Sequence, residues 1–267
     1  MTRFALGVEY SGTGFAGWQR QAGVRTVQDA VEEALSRVAD EPVRVAAAGR
    51  TDTGVHALGQ VVHFDCAKTR SPEAFRRGGN AHLPPDVSLI WGRVVDDGFH
   101  ARFSAVSRTY RYVILNRPTR SAVWAGRVAF DYRPLQVARM QEAAAALVGR
   151  HDFSAYRAVG CQAKSPIREV YALTVERRDA FVILTIRANA FLHHMVRNVA
   201  GVLMAIGAGE RPVRWAFDVL AGRDRNLGGV TAPPGGLYFV SASYPPDFGI
   251  PWVAAHAWSY GGAPLPD

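Results

Sequence analysis

Val43-Arg44-Val45-Ala46-Ala47-Ala48-Gly49-Arg50-Thr51-Asp52-Thr53-Gly54-Val55-His56-Ala57-Leu58-Gly59-Gln60-Val61-Val62-His63-Phe64 sets two apolar runs around a glycine-bracketed loop. The runs, Val43 to Ala48 and Gly59 to Phe64, are apolar and read as strands. A loop pinned at both ends by sheet aims a side chain with little slack. The carboxylate so placed is Asp52, two residues after Arg50. Spacing alone leaves a second reading open, in which Asp52 closes a turn on its own backbone.

Outward from this hairpin the periodicity stays regular. Phe4 to Tyr10 reads as a strand. Thr26 caps a helix in which Val27, Ala30, Val31, Ala34, Leu35 and Val38 recur at helical spacing, with Asp29 at the capping-box position and Pro42 beyond its end. Ser71 to Gly78 reads as a short helix and Val87 to Val95 as a strand, giving β-α-β-β-α-β. The pattern then starts again: a strand from Arg108 to Leu115, a helix from Pro134 to Leu147, strands Ile167 to Val175 and Phe181 to Arg187 about an Arg178-Asp179 turn, helices Phe191 to Ile206 and Val213 to Leu220, and a strand from Leu237 to Ala242. Two such units predict an α+β protein of two ferredoxin-like or RRM-like halves, with helices packed on a mixed, mainly antiparallel sheet. The expected domains are 1–98 and 99–247, hinged within Asp96 to Ser107. The glycine- and proline-broken stretch 248–267 is expected to be an irregular extension.

Composition narrows the partners. Hydrophobic residues make up 48% of the 267-residue chain and charged residues 20%, as in globular proteins. The start, MTRFALGVEY, lacks the apolar core of a secretory signal. The most apolar helical run, Phe191 to Gly207, is interrupted by His193, His194, Arg197 and Asn198, so no membrane span is expected. Cys66 and Cys161 stand apart and form no metal-ligand pattern, which suits a reduced, cytoplasmic protein without a metal site. The formal charge is +8, and all but two of the 31 basic residues are arginine. Such a surface suits a polyanion, and arginine forks suit phosphate and base stacking. An arginine- and alanine-rich genome would give the same bias.

Gly12-Thr13-Gly14-Phe15-Ala16-Gly17 follows the first strand and matches G-x-G-x-x-G, so a dinucleotide-dependent oxidoreductase is a rival reading. However, Trp18 to Gly23 does not open an amphipathic helix after the third glycine, and no parallel βαβ repeat follows. Tight turns explain these glycines more simply.

Taken in order, these stretches resemble the tRNA pseudouridine synthase A (TruA) family. The resemblance rests on Tyr10-Ser11-Gly12-Thr13 through Gly17-Trp18-Gln19-Arg20-Gln21, Gly49 to Ala57, Gly59 to Phe64, Asn80 with Leu83-Pro84-Pro85-Asp86, Phe99 to Phe103, Arg108 to Tyr112, Phe153 to Cys161, Phe191 to Asn198 and Gly236-Leu237-Tyr238. It covers roughly residues 3 to 245. Ser11 stands where the family more usually has Asp, a difference confined to a turn.

The resemblance implies isomerisation of uridine to pseudouridine at positions 38, 39 and 40 of the tRNA anticodon stem-loop. The chemistry needs no cofactor: no metal and no nucleotide. It implies Asp52 as the catalytic residue, either attacking the sugar or taking a ribose proton. To act so, Asp52 must stay ionised when RNA shields it, which a nearby guanidinium favours. Arg197 is one candidate and Arg50 the other; Arg50 is equally suited to holding phosphate. Helical spacing puts Leu192, Met195, Val196, Val199 and Leu203 on one stripe and His193, Arg197 and Gly201 on the other side, where Arg197 reads either as a surface charge or as a site residue. Tyr110 reads as core by alternation, while the resemblance sets it against the target base, as a flipped uracil requires. The resemblance further implies tRNA contacts at Arg70, Phe99, His100, Arg102, Arg157 and Lys164, and a homodimer whose tRNA touches both subunits.

Overall fold

A computed structural model describes residues 1–251. The stretch 252–267, most of the expected extension, lies outside the described residues; before it, Pro246–Phe248 forms a 3-10 turn. The described residues pack as two units, one of residues 1–106 with 239–251, the other Ser107–Tyr238.

The first unit contains β1 (Thr2–Tyr10), α1 (Val27–Ala39), β2 (Ala46–Ala47), β3 (His56–Cys66), α2 (Pro72–His82) and β4 (Val87–Val94). The order is β-α-β-β-α-β. β1 pairs antiparallel with both β3 and β4, and β2 pairs antiparallel with β3. Thr26 caps α1 by accepting the Asp29 N–H, and Ser71 caps α2 by accepting the Ala74 N–H. Phe4, Phe64 and Phe75 form the core contact between sheet and α2, with ring centroids 4.8 to 5.5 Å apart.

The first strand of the central hairpin is shorter than its sequence suggests. The Val43 N–H donates to Ser36 Oγ and the Val45 N–H to the Glu32 carboxylate, so α1 takes two donors that a longer β2 would give to a ladder. Buried Glu32 also receives Arg20 at 2.9 Å and Arg44 at 2.7 Å, which ties the entry of the Asp52 loop to α1.

The second unit contains β5 (Ser107–Asn116), β6 (Ala129–Asp131), α3 (Val137–Ala145), β7 (Gly149–Asp152), β8 (Ile167–Arg178), β9 (Phe181–Ala188), α4 (Met195–Gly207) and α5 (Trp215–Gly222). β5, β9, β8 and β7 pair antiparallel in that order, while β6 lies parallel to β5. The β8–β9 hairpin turns at Asp179, which has φ 50°. β10 (Leu237–Ser243) carries the chain from the second unit back to the first.

The architecture is α+β, with mixed and mainly antiparallel strand pairing and, among the described residues, five α-helices. Residues 99 to 106 pack within the first unit. There Phe99 meets His63 and Tyr244, and the Tyr244 hydroxyl donates to the Ala101 carbonyl at 2.7 Å. α4 starts at Met195 rather than Phe191, because His194 takes a left-handed conformation (φ 60°) that ends the preceding turn. Its stripe of Leu192, Met195, Val196, Val199 and Leu203 is buried as spaced. The parallel βαβ unit of a dinucleotide fold is not formed, since β1 has antiparallel neighbours on both sides. Among the described residues no helix is long and apolar enough to cross a membrane, and both cysteines are free.

Candidate active site

The Asp52 loop is held by groups that arrive from other elements of the first unit. Fully buried Gln60 on β3 binds Gly49 twice: Nε2 donates to its carbonyl at 2.6 Å and Oε1 accepts its N–H at 3.3 Å. The Tyr10 hydroxyl lies 2.8 Å from Thr51 Oγ1, and the Trp18 N–H donates to the Thr51 carbonyl at 3.0 Å. The loop closes on itself through the Val55 N–H, which donates to the Asp52 carbonyl at 3.1 Å. Burial pushes the Tyr10 phenol up to about 12. Asp52 itself is half-buried, and Arg50 beside it in sequence is exposed.

The glycines that mimic a dinucleotide motif support this loop. A Cβ on Gly12 would lie 2.0 Å from the Val55 carbonyl oxygen. One on Gly17, where φ is +98°, would lie 2.8 Å from the Thr51 oxygen and 3.2 Å from the Asp52 carbonyl carbon. Only glycine lets the 12–18 segment run this close. The Gly12 N–H donates to His56 Nδ1 at 3.1 Å, and the Gly54 N–H to the Phe15 carbonyl at 3.4 Å. The segment is fixed in turn by Asp86, whose carbonyl accepts the Ser11 N–H and whose carboxylate pairs with both ends of the Arg25 guanidinium at 2.7 and 2.8 Å. That pairing holds the Asp86 carboxyl below its ordinary range.

In the second unit, Tyr110 on β5 is 8% exposed and meets Phe191 edge-to-face at 4.9 Å. Arg197 lies in the first turns of α4. Its Nε donates to the Ala232 carbonyl at 2.8 Å, and its own carbonyl accepts the Ala232 N–H at 3.1 Å. The guanidinium is planar, so a bond through Nε sets its orientation.

A family model described as tRNA pseudouridine synthase matches residues 7–104 and 143–245, which hold these parts of both units except Tyr110. The chain belongs to the tRNA pseudouridine synthase family. Curated relatives named tRNA pseudouridine synthase A agree. The one from Nitrosococcus oceani is 58% identical over 93% of this chain and 96% of its own. That from Pseudomonas aeruginosa is 57% identical over 94% and 88%, and that from Methylococcus capsulatus 57% over 93% and 92%. Synthases of this family are isomerases that convert uridine to pseudouridine.

The other candidate residues fall in different settings. Arg70 is exposed but folded back, donating from Nε to the Val38 carbonyl at 3.0 Å and from Nη1 to the Thr69 carbonyl at 3.0 Å. Arg102 is exposed, its guanidinium 5.5 Å from the Phe103 ring centroid. Phe99 is fully buried against His63, Tyr244 and Phe248, so its ring lies in the core rather than on a face that RNA reaches. It seats the turn that follows, where His100 Nδ1 accepts the Arg102 N–H at 3.1 Å. Desolvation lowers His100, and it brings His63 down to about 4, helped by the His100 and Arg3 charges. Arg157 lines an open cleft of about 440 Å³ with Ser154, residues 158 to 161 and Arg223 to Arg225, while Lys164 is exposed nearby in sequence.

Tyr10, Gln60 and His56 are the supporting groups that sequence periodicity passes over. Their signal was available as polar side chains inside otherwise apolar strands, positions that a buried sheet fills only when a partner waits.

Proposed function

We propose that this protein isomerises uridine to pseudouridine at positions 38, 39 and 40 of the tRNA anticodon stem-loop, with Asp52 as nucleophile. The C1′–N1 bond breaks, the freed uracil turns over, and a C5–C1′ bond forms. N1 gains a proton as C5 loses one, so the atoms balance without a co-reactant. Tyr110, Arg197 and Arg50 are assigned to binding the target uridine. Arg70, His100, Arg102, Arg157 and Lys164 are assigned to the tRNA, with Phe99 acting through the turn it seats. A homodimer acting in the cytoplasm completes the reading.

One observation carries it most: a family-matched loop presents the Asp52 carboxylate just after Gly49 and Thr51, which buried Gln60, Tyr10 and Trp18 hold in place. Covalent attack needs that fixity, since small misplacements of a reacting group cost large factors in rate. The test is tritium release from unmodified tRNA carrying 5-³H-uridine, with purified protein and no additive. Release to water is expected. Tight tRNA binding without release would leave an RNA-binding protein without turnover.

A further inference from the structure

Arg197 reaches the Ala232 carbonyl, but nothing in residues 228 to 232 belongs to a helix or strand that would fix that carbonyl. The stretch, Gly228-Gly229-Val230-Thr231-Ala232, contains two glycines and an exposed Val230. It nonetheless runs hard against α4. A Cβ on Gly201 would lie 1.9 Å from the Val230 carbonyl oxygen. Besides the Ala232 N–H on the Arg197 carbonyl, what holds the stretch there is Arg225. Its Nη2 donates to the Gly229 carbonyl at 2.9 Å, to Thr231 Oγ1 at 3.1 Å and to Asn198 Oδ1 at 3.2 Å. The Thr231 hydroxyl donates to the same Asn198 oxygen at 2.7 Å, and Asn198 Nδ2 donates to the Tyr156 carbonyl at 2.8 Å. Asn198 is buried and follows Arg197 directly on α4.

We infer that Arg225 is a positioning residue for Arg197: it fastens residues 229 to 231 to Asn198, and so fixes the carbonyl that orients the Arg197 guanidinium. The inference rests on the proposed role of Arg197 in binding the uridine. Arg225 also walls the cleft that contains Arg157, yet its Nη2 is turned to the network rather than left to a ligand. A lysine cannot copy this, because all three contacts are made by Nη2 and a lysine side chain, one bond shorter, leaves its ammonium short of that point.

The experiment measures single-turnover isomerisation rate, tRNA Kd and thermal unfolding for Arg225→Met, Arg225→Lys, Thr231→Val, Arg197→Ala and the Arg225→Met/Arg197→Ala double variant. Arg225→Met is expected to slow isomerisation by about 10- to 100-fold, the scale of a misplaced site group, with Kd changed by less than about threefold. Arg225→Lys should not restore the rate. In the Arg197→Ala background, Arg225→Met should slow the reaction by less than about twofold more, because the two residues act as one unit. If the two losses multiply instead, Arg225 supports only the fold and the inference is overturned. A normal rate in Arg225→Met overturns it too. Should Arg225→Met fail to fold, Thr231→Val, expected to lose about 3- to 10-fold, carries the same cycle against Arg197→Ala. Full activity in Arg197→Ala would instead remove the role of Arg197 itself, a failure separable from that of Arg225.

Discussion

The loop that carries Asp52 and the segment that carries Arg157 and Lys164 are both glycine-containing connections in an arginine-rich protein, and they are built in opposite ways. Around Asp52, the buried Gln60 side chain binds the Gly49 backbone, the Tyr10 hydroxyl meets the Thr51 hydroxyl and the Trp18 main chain the Thr51 carbonyl, and the neighbouring glycines leave no room even for a methyl group. In the second segment, the Ala158 N–H donates to the His193 carbonyl and the Cys161 N–H to the Ala158 carbonyl. Beyond these ties Val159 is 94% exposed, and a Cβ on Gly160 would meet nothing within 4 Å. Bond-making tolerates errors of a fraction of an ångström, whereas a phosphate contact by a long cation tolerates several. A fixed loop suits chemistry, and a loosely tied one suits a polyanion.

Substitutions that crowd or loosen the fixed loop should show the largest contrast. Gly12→Ala drives a methyl into the Val55 carbonyl and should cost about 2–4 kcal/mol of stability and more than about 100-fold in tritium-release rate. Gly160→Ala, with open space around it, should leave the rate within about threefold, despite strain of about 1 kcal/mol from its φ of +81°. Equal losses at the two glycines would erase the comparison. Next in size is Gln60→Ala, which leaves the Gly49 N–H and carbonyl without their buried partner. A loss of about 1–3 kcal/mol in thermal unfolding is expected, with isomerisation slowed by about 10-fold and tRNA Kd unchanged.

In the looser segment the effect should fall on affinity. Arg157→Ala and Lys164→Ala should each weaken tRNA binding a few-fold with the single-turnover rate intact. Each should also flatten the slope of log affinity against log salt by about 0.9 on duplex RNA, if it meets one phosphate. An unchanged slope would take that residue off the RNA.

The turn after Phe99 lies between these extremes and gives the smallest effect. His63 is held neutral, its pKa brought down to about 4 by burial, and its Nδ1 accepts the Ala101 N–H. Below the ordinary histidine pKa the unfolded chain binds a proton that the folded chain refuses, so stability should be lost as pH falls from about 6.5 towards 4. A His63→Asn variant, which keeps an acceptor without the titration, should show a flatter fall in melting temperature across that window. Parallel curves would remove His63 as the source.

Much of this contrast was legible in the sequence, and for identifiable reasons. Hydrophobic period and capping signals located α1, α2 and β1, and the stripe of α4, because each is a local pattern that burial reads directly. The short β6 and β7 carry too few residues for alternation to show. The shortening of β2 depended on Ser36 and Glu32 from another element, and the late start of α4 on a left-handed His194. The Asp52 loop stood out by its glycines and its family resemblance. Its supports at Tyr10 and Gln60 did not, since they come from strands whose pairing sets which polar groups face the loop.

Asp52→Asn tests the account most directly, because it removes the negative charge and nearly preserves the shape. Purified wild-type and variant protein would each be given an unmodified tRNA transcript, with bound tRNA measured and pseudouridine mapped afterwards. Pseudouridine is expected within positions 38 to 40 for the wild type and none for the variant, with both proteins binding the transcript equally. Pseudouridine formed by the variant at a comparable rate would contradict it.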